Sequence, residues 1–155
     1  MPVFDSRFEA RGRVAIVVSR YHERITSKLL EGALEACHQA GLADDDVDVI
    51  WVSGAFELGV AAAAAAHSDR YLALVALGVV IRGETPHFDF VAGETAAALA
   101  RVATETLVPV GFGLLTCDTM EQAAARAGGA AGNKGGEAAE AAIRTANVLR
   151  QALDE

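Results

Sequence analysis

The sequence predicts an α/β fold, with one parallel sheet carrying helices on both faces. Three observations predict it. Short runs of β-branched and other apolar residues are nearly continuous rather than alternating, the pattern of strands buried on both sides. Between them lie segments whose apolar residues recur at helical spacing. Gly, Pro and Asp punctuate the boundaries. Strands alternating with helices imply right-handed crossovers and parallel pairing.

Residues 1–12 are mixed in character and read as an extended N-terminal arm, leaving 13–155 as a single domain. Val14 to Val18 is the first strand. Ile25, Leu29, Leu30, Ala33, Leu34 and Cys37 then recur at helical spacing, with Gly41 as the stop signal. Asp44 to Asp46 make an acidic turn, and Val47 to Val52 is the second strand. Residues 56–67 hold an alanine run, Ala61 to Ala66, which favours a helix packed close to the sheet. Tyr71 to Ile81 is the third and most apolar strand, broken by Arg82 to Pro86. A helix from Pro86 to Glu105, a fourth strand from Pro109 to Thr116 and a short helix from Met120 to Ala127 follow. Gly128 to Gly136 reads as a Gly-rich loop, and the last helix as Glu137 to Leu153.

The length of 155 residues fits one domain. Apolar residues at 52% and charged residues at 22% exclude global disorder. Thirteen basic against 21 acidic residues give a net charge of -8, which argues against a nucleic-acid partner. Cys37 and Cys117 are too few for a disulfide scaffold or a zinc site and point to a reducing compartment. The opening residues lack the apolar stretch of a secretory signal. No apolar run approaches the ~18 residues of a membrane span. A cytoplasmic protein without a membrane partner is the expectation.

In open parallel sheets, ligands sit beyond the carboxyl ends of the strands, so the strand-to-helix junctions carry the candidate chemistry. Beside Arg82, Gly83 and Thr85, the start of a helix offers free N–H groups to an anion, and His87 in its first turn could exchange protons near neutral pH. Glu84 would have to point away from a bound charge. Tyr21 could stack on a planar ring or, read locally, cap the core. Ala55, Phe56 and Glu57 could bind a heterocycle and its polar hydrogens, although Glu57 also reads as an acid facing the helix dipole. Arg126 and Lys134 flank the Gly-rich segment and could reach an anionic or polyhydroxyl ligand. Neither a Walker A spacing nor a dinucleotide fingerprint occurs. The four histidines, at 22, 38, 67 and 87, fall in different segments.

Four segments go further: Ile25 to Ala33, Gly54 to Leu58, Ala76 to Val91, and Ala127 to Gly135. The most specific is Ile81-Arg82-Gly83-Glu84-Thr85-Pro86-His87-Phe88-Asp89-Phe90. Their order and spacing resemble those of lumazine synthase, the penultimate enzyme of riboflavin biosynthesis. The resemblance implies a three-layer α/β/α sandwich with a four-stranded, flavodoxin-like sheet in the order 2-1-3-4. It implies condensation of 5-amino-6-(ribitylamino)uracil with 3,4-dihydroxy-2-butanone 4-phosphate, yielding 6,7-dimethyl-8-ribityllumazine, phosphate and water, with no cofactor or metal. In that scheme Tyr21 stacks on the pyrimidine, Ala55, Phe56 and Glu57 hold the uracil and ribityl groups, and Val79, Val80 and Ile81 line the ring pocket. Glu84 and Thr85 offer backbone N–H groups to the phosphate, with Arg126 as counter-charge, and His87 moves protons. Phe112, Arg126 and Lys134 come from an adjacent subunit. The resemblance further implies homopentamers, with the short 128–136 segment leaning towards an icosahedral capsid, and riboflavin synthase as a candidate partner. Two departures stand out: Ser53 replaces the usual Pro before Gly54, and Tyr21 adds a hydroxyl where Phe or Trp is usual. A flavin carrier or a purely structural shell protein would be the rival readings, and neither would need His87, Arg126 and Lys134 together.

Overall fold

The computed structural model describes residues 1–153. In chain order it contains β1 (Val14–Ser19), α1 (Glu23–Gln39), β2 (Val47–Val52), α2 (Leu58–His67), β3 (Ala73–Ile81), α3 (His87–Thr106) and β4 (Val110–Cys117). A short α4 (Met120–Arg126), a small hairpin of β5 (Ala127–Gly129) and β6 (Gly132–Asn133), and α5 (Lys134–Leu153) complete it.

Four strands pair in parallel in the order β2-β1-β3-β4, as expected from the resemblance. β1 is buried along its whole length, and its side chains alternate between two apolar cores. Val14, Ile16 and Val18 join a core built with α1 and α5. Ala15 and Val17 join one built with α2 and α3. A helix layer on each face is the physical reason why the run carries no polar alternation. The sheet order leaves β2 and β4 at the edges. Residues 1–13 form no regular element, and Phe8 packs on the first core. Asn147 donates to the carbonyls of Arg7 and Glu9, which fastens this segment to α5.

The Gly-rich segment departs from the sequence reading. It is a hairpin rather than a loop, and the last helix begins at Lys134 instead of Glu137. Asn133 supplies the reason. Its Oδ1 accepts the N–H groups of Gly135 at 2.9 Å and Gly136 at 3.2 Å, which is N-cap chemistry. Its Nδ2 donates to the Lys28 carbonyl at 2.9 Å, tying the cap to α1. A Cβ on Gly135 would overlap the carbonyl of Leu29, so the two helices meet backbone to backbone there. Gly135 serves close packing and not flexibility.

The third strand starts at Ala73, two residues later than expected. Tyr71 is instead drawn towards β2, where its hydroxyl donates to Asp48 Oδ2 at 2.6 Å. Arg13 pairs with the same carboxylate at 2.7 Å. The Tyr71 hydrogen bond, and then the two nearby arginines, outweigh partial burial and hold the Asp48 carboxyl below its ordinary value. A depressed folded-state pKa gives stability that is present above the unfolded value, about 4, and lost as pH falls through the folded value. Tyr71→Phe should therefore lower stability at pH 7, and its gap to the wild type should close in acid. Denaturant titrations at a series of pH values check this; a gap independent of pH would contradict it.

Candidate active site

The strand-to-helix junctions gather beyond the carboxyl ends of β1, β2 and β3, and a cavity of about 650 Å³ opens there. The β1–β2 pairing continues past the strands, through Arg20 N–H to Val52 O at 2.8 Å and Tyr21 N–H to Ser53 O at 3.1 Å. The turn with Ser53 in place of Pro is thus held by a sheet-like bond. The chain then turns sharply at His22, which has a left-handed backbone (φ 60°). Tyr21 is left 68% exposed, so it does not cap the core. Its ring lies 4.4 Å from that of His22, tilted by 57°.

Ala55 to Glu57 form a single 3-10 turn ahead of α2. Ala55 is buried and Phe56 is exposed towards the cavity. Glu57 also lines it, with a carboxylate oxygen near Gly54. Val79, Val80 and Ile81 form its floor at the end of β3. His87, the first residue of α3, stands at its wall. The Thr85 hydroxyl accepts the His87 N–H at 3.4 Å. Among the described residues, the N–H groups of Glu84 and Thr85 find no protein acceptor. These two residues border the cavity loop but do not line the cavity itself.

Phe90, Val91 and Glu94 also line the cavity. Sequence reasoning singled out none of them. The signal was present, because 87, 90, 91 and 94 share one face of a helix. His22 is a further lining residue that the sequence reading did not select.

Phe112, Arg126 and Lys134 lie elsewhere. They line a second cleft of about 230 Å³ along β4, the edge strand. Phe112 is 53% exposed. Arg126 donates to the Gln122 carbonyl at 3.0 Å, and Lys134 pairs with Glu137 at 3.1 Å. A lysine in the first turn of α5 opposes the helix dipole, and Glu137 offsets part of that cost. Cys117 also lines this cleft. Burial pushes its thiol above the ordinary value, while the Arg126 charge acts in the opposite direction. Of the candidate residues, Tyr21, Phe56, Glu57 and His87 therefore share one cavity, and Phe112, Arg126 and Lys134 share another. Among the described residues, no Lys or Arg lines the first.

Comparison with known proteins gives this arrangement a context. Residues 11–150 match the family model described as 6,7-dimethyl-8-ribityllumazine synthase. The chain belongs to that family. The lumazine synthase of Gemmatimonas aurantiaca is 52% identical over 149 residues, covering 96% of this chain and 90% of the relative. That of Edwardsiella ictaluri is 53% identical over 141 residues, 90% of each chain. That of Anaeromyxobacter sp. is 50% identical over 153 residues, 98% of this chain and 94% of the relative. Membership makes this chain a transferase of riboflavin biosynthesis. Among the described residues, no helix is long and apolar enough to cross a bilayer.

Proposed function

We propose that this lumazine synthase family member condenses 5-amino-6-(ribitylamino)uracil with 3,4-dihydroxy-2-butanone 4-phosphate. The products are 6,7-dimethyl-8-ribityllumazine, inorganic phosphate and water. The attacking amine belongs to the pyrimidine, so the protein supplies no nucleophile. Its task is to bring two substrates together and to move protons. Orientation of bound reactants can lower a barrier by up to ~7–11 kcal/mol, and one acid–base group adds about 10²–10⁴-fold.

The ring of the pyrimidine rests against Tyr21, with Val79, Val80 and Ile81 beneath it and Phe56 beside it. Glu57 and the backbone of Ala55 and Phe56 take its polar hydrogens and those of the ribityl chain. The phosphate of the ketone lies at the free N–H groups of Glu84 and Thr85. His87 accepts and returns protons as the imine forms and as phosphate leaves.

The separation of the two clefts carries this reading furthest. A phosphate-bearing substrate calls for cations, and among the described residues no Lys or Arg lines the cavity that holds His87. Arg126 and Lys134, with Phe112, are displayed on an open sheet edge where a second copy can use them. A head-to-tail ring closes such contacts and repeats the same composite site at every interface. We therefore read the working enzyme as a ring of identical chains, which the family resemblance makes a pentamer, with each active site shared between neighbours.

The test mixes the purified protein with both substrates and follows the lumazine by absorbance and fluorescence. Turnover should vanish when the phosphate-bearing ketone is omitted. A folded oligomer that gives no acceleration over the blank, yet binds riboflavin or the lumazine, would favour the carrier reading instead.

A further inference from the structure

Arg82 follows β3 directly, and its contacts radiate in four directions. Its backbone N–H donates to the Cys117 carbonyl at 2.9 Å, extending the β3–β4 pairing by one bond. Its Nε donates to Asp118 at 3.0 Å, and a terminal nitrogen reaches Asp89 at 3.5 Å. The guanidinium lies 4.3 Å over the ring of Phe88, the second residue of α3, which is buried in the core. Two carboxylates and an aromatic face thus fix the arginine and neutralise its charge.

The line of bonds continues beyond Asp118. The Asp118 N–H donates to the Gln122 side-chain oxygen at 2.8 Å. The carbonyl of that same Gln122 accepts from Arg126 at 3.0 Å. Between Arg82 and His87 lie only residues 83–86, which include the free N–H groups of Glu84 and Thr85. One frame therefore joins the loop beside the His87 cavity to the arginine of the second cleft.

We propose that Arg82 is a positioning residue for phosphate binding at both ends of this frame. Through Phe88, Asp89 and the Cys117 carbonyl it sets the 83–86 loop for the chain's own cavity. Through Asp118 and Gln122 it sets Arg126 for the cavity of the neighbouring copy. The inference rests on the functional reading above and adds the element that aligns its two halves. Arg82 acts through its partners, since its fork is already occupied by carboxylates.

Two variants separate this role from direct phosphate binding. Asp118→Ala breaks the frame and frees the Arg82 fork. A positioning role raises the KM of the phosphate-bearing ketone, about tenfold for the loss of a charge-assisted bond, and changes the KM of the pyrimidine less. Arg82→Lys keeps a cation but loses the planar fork, and should show the same selective rise. The pairs are half exposed, and exposed ion pairs add little stability, so melting temperatures should barely move. A ketone KM that stays the same or falls in Asp118→Ala, or that Arg82→Lys preserves, would overturn the proposal. So would a change carried by melting temperature alone. Protection of the wild type by inorganic phosphate against thermal unfolding gives a readout independent of turnover. A wild type that neither turns over the ketone nor responds to phosphate would sink the functional reading, and this inference with it. A competent wild type with unaltered variants would sink this inference alone.

Discussion

Replacing His87 by Ala should slow turnover by about 10²–10⁴-fold, the usual worth of one acid–base group, without abolishing it. The residual rate follows from where the rest of the catalysis resides. In the proposed scheme the nucleophile comes with the pyrimidine, and Tyr21, Phe56 and the β3 floor would still hold its ring beside the second substrate. His87 is exposed at the first residue of α3 and makes no side-chain hydrogen bond among the described residues. Its removal therefore costs little packing, and the variant should assemble and melt as the wild type does. Single-turnover kinetics on the assembled variant check this. Complete loss of activity from an intact oligomer would assign His87 a larger role than proton transfer.

Arg126→Ala should act on binding. A hydrogen bond to a charged group contributes about 1.5–3 kcal/mol, so affinity for the phosphate-bearing ketone should fall by about one to two orders of magnitude. Affinity for the pyrimidine should change less, because the Tyr21 cavity is untouched. Among the described residues, Arg126 is anchored only by the Gln122 carbonyl of its own helix turn, so α4 should survive the change. Titration of each substrate separately measures the split. An unchanged affinity for the ketone would remove Arg126 from the phosphate site.

The two cations also show how far the sequence could be read. The four strands and five larger helices were legible because burial on both faces forces continuous apolar runs, and helices repeat at 3.6 residues. Residues 128–136 were not. Two glycines in a row argue against a helix by propensity, and only contact with α1 reveals why Gly135 and Gly136 belong in one. The sequence reading gave Asn133 no capping role, and its bond to the Lys28 carbonyl is a tertiary fact. Residues of the cavity were legible as junctions beyond strand ends. Phe90, Val91 and Glu94 could have been added from the helical repeat that starts at His87. Chain order alone does not tell that Phe112, Arg126 and Lys134 face away from that cavity; the sheet order places β4 at an edge. The resemblance to the family anticipated this division, and local chemistry by itself did not.

The central claim is that each active site draws on two chains. The most direct test co-assembles His87→Ala chains with Arg126→Ala chains in equal amounts. Each variant alone lacks one half of every site. In a mixed ring, an Arg126→Ala chain offers an intact cavity and a His87→Ala chain an intact cleft, so random pairing rebuilds about a quarter of the sites. With the ketone held well below the KM of the Arg126→Ala variant, so that both variants alone are slow, activity should rise to about a quarter of the wild type. Activity that stays at the average of the two separate variants, in oligomers shown to be mixed, would contradict the shared site.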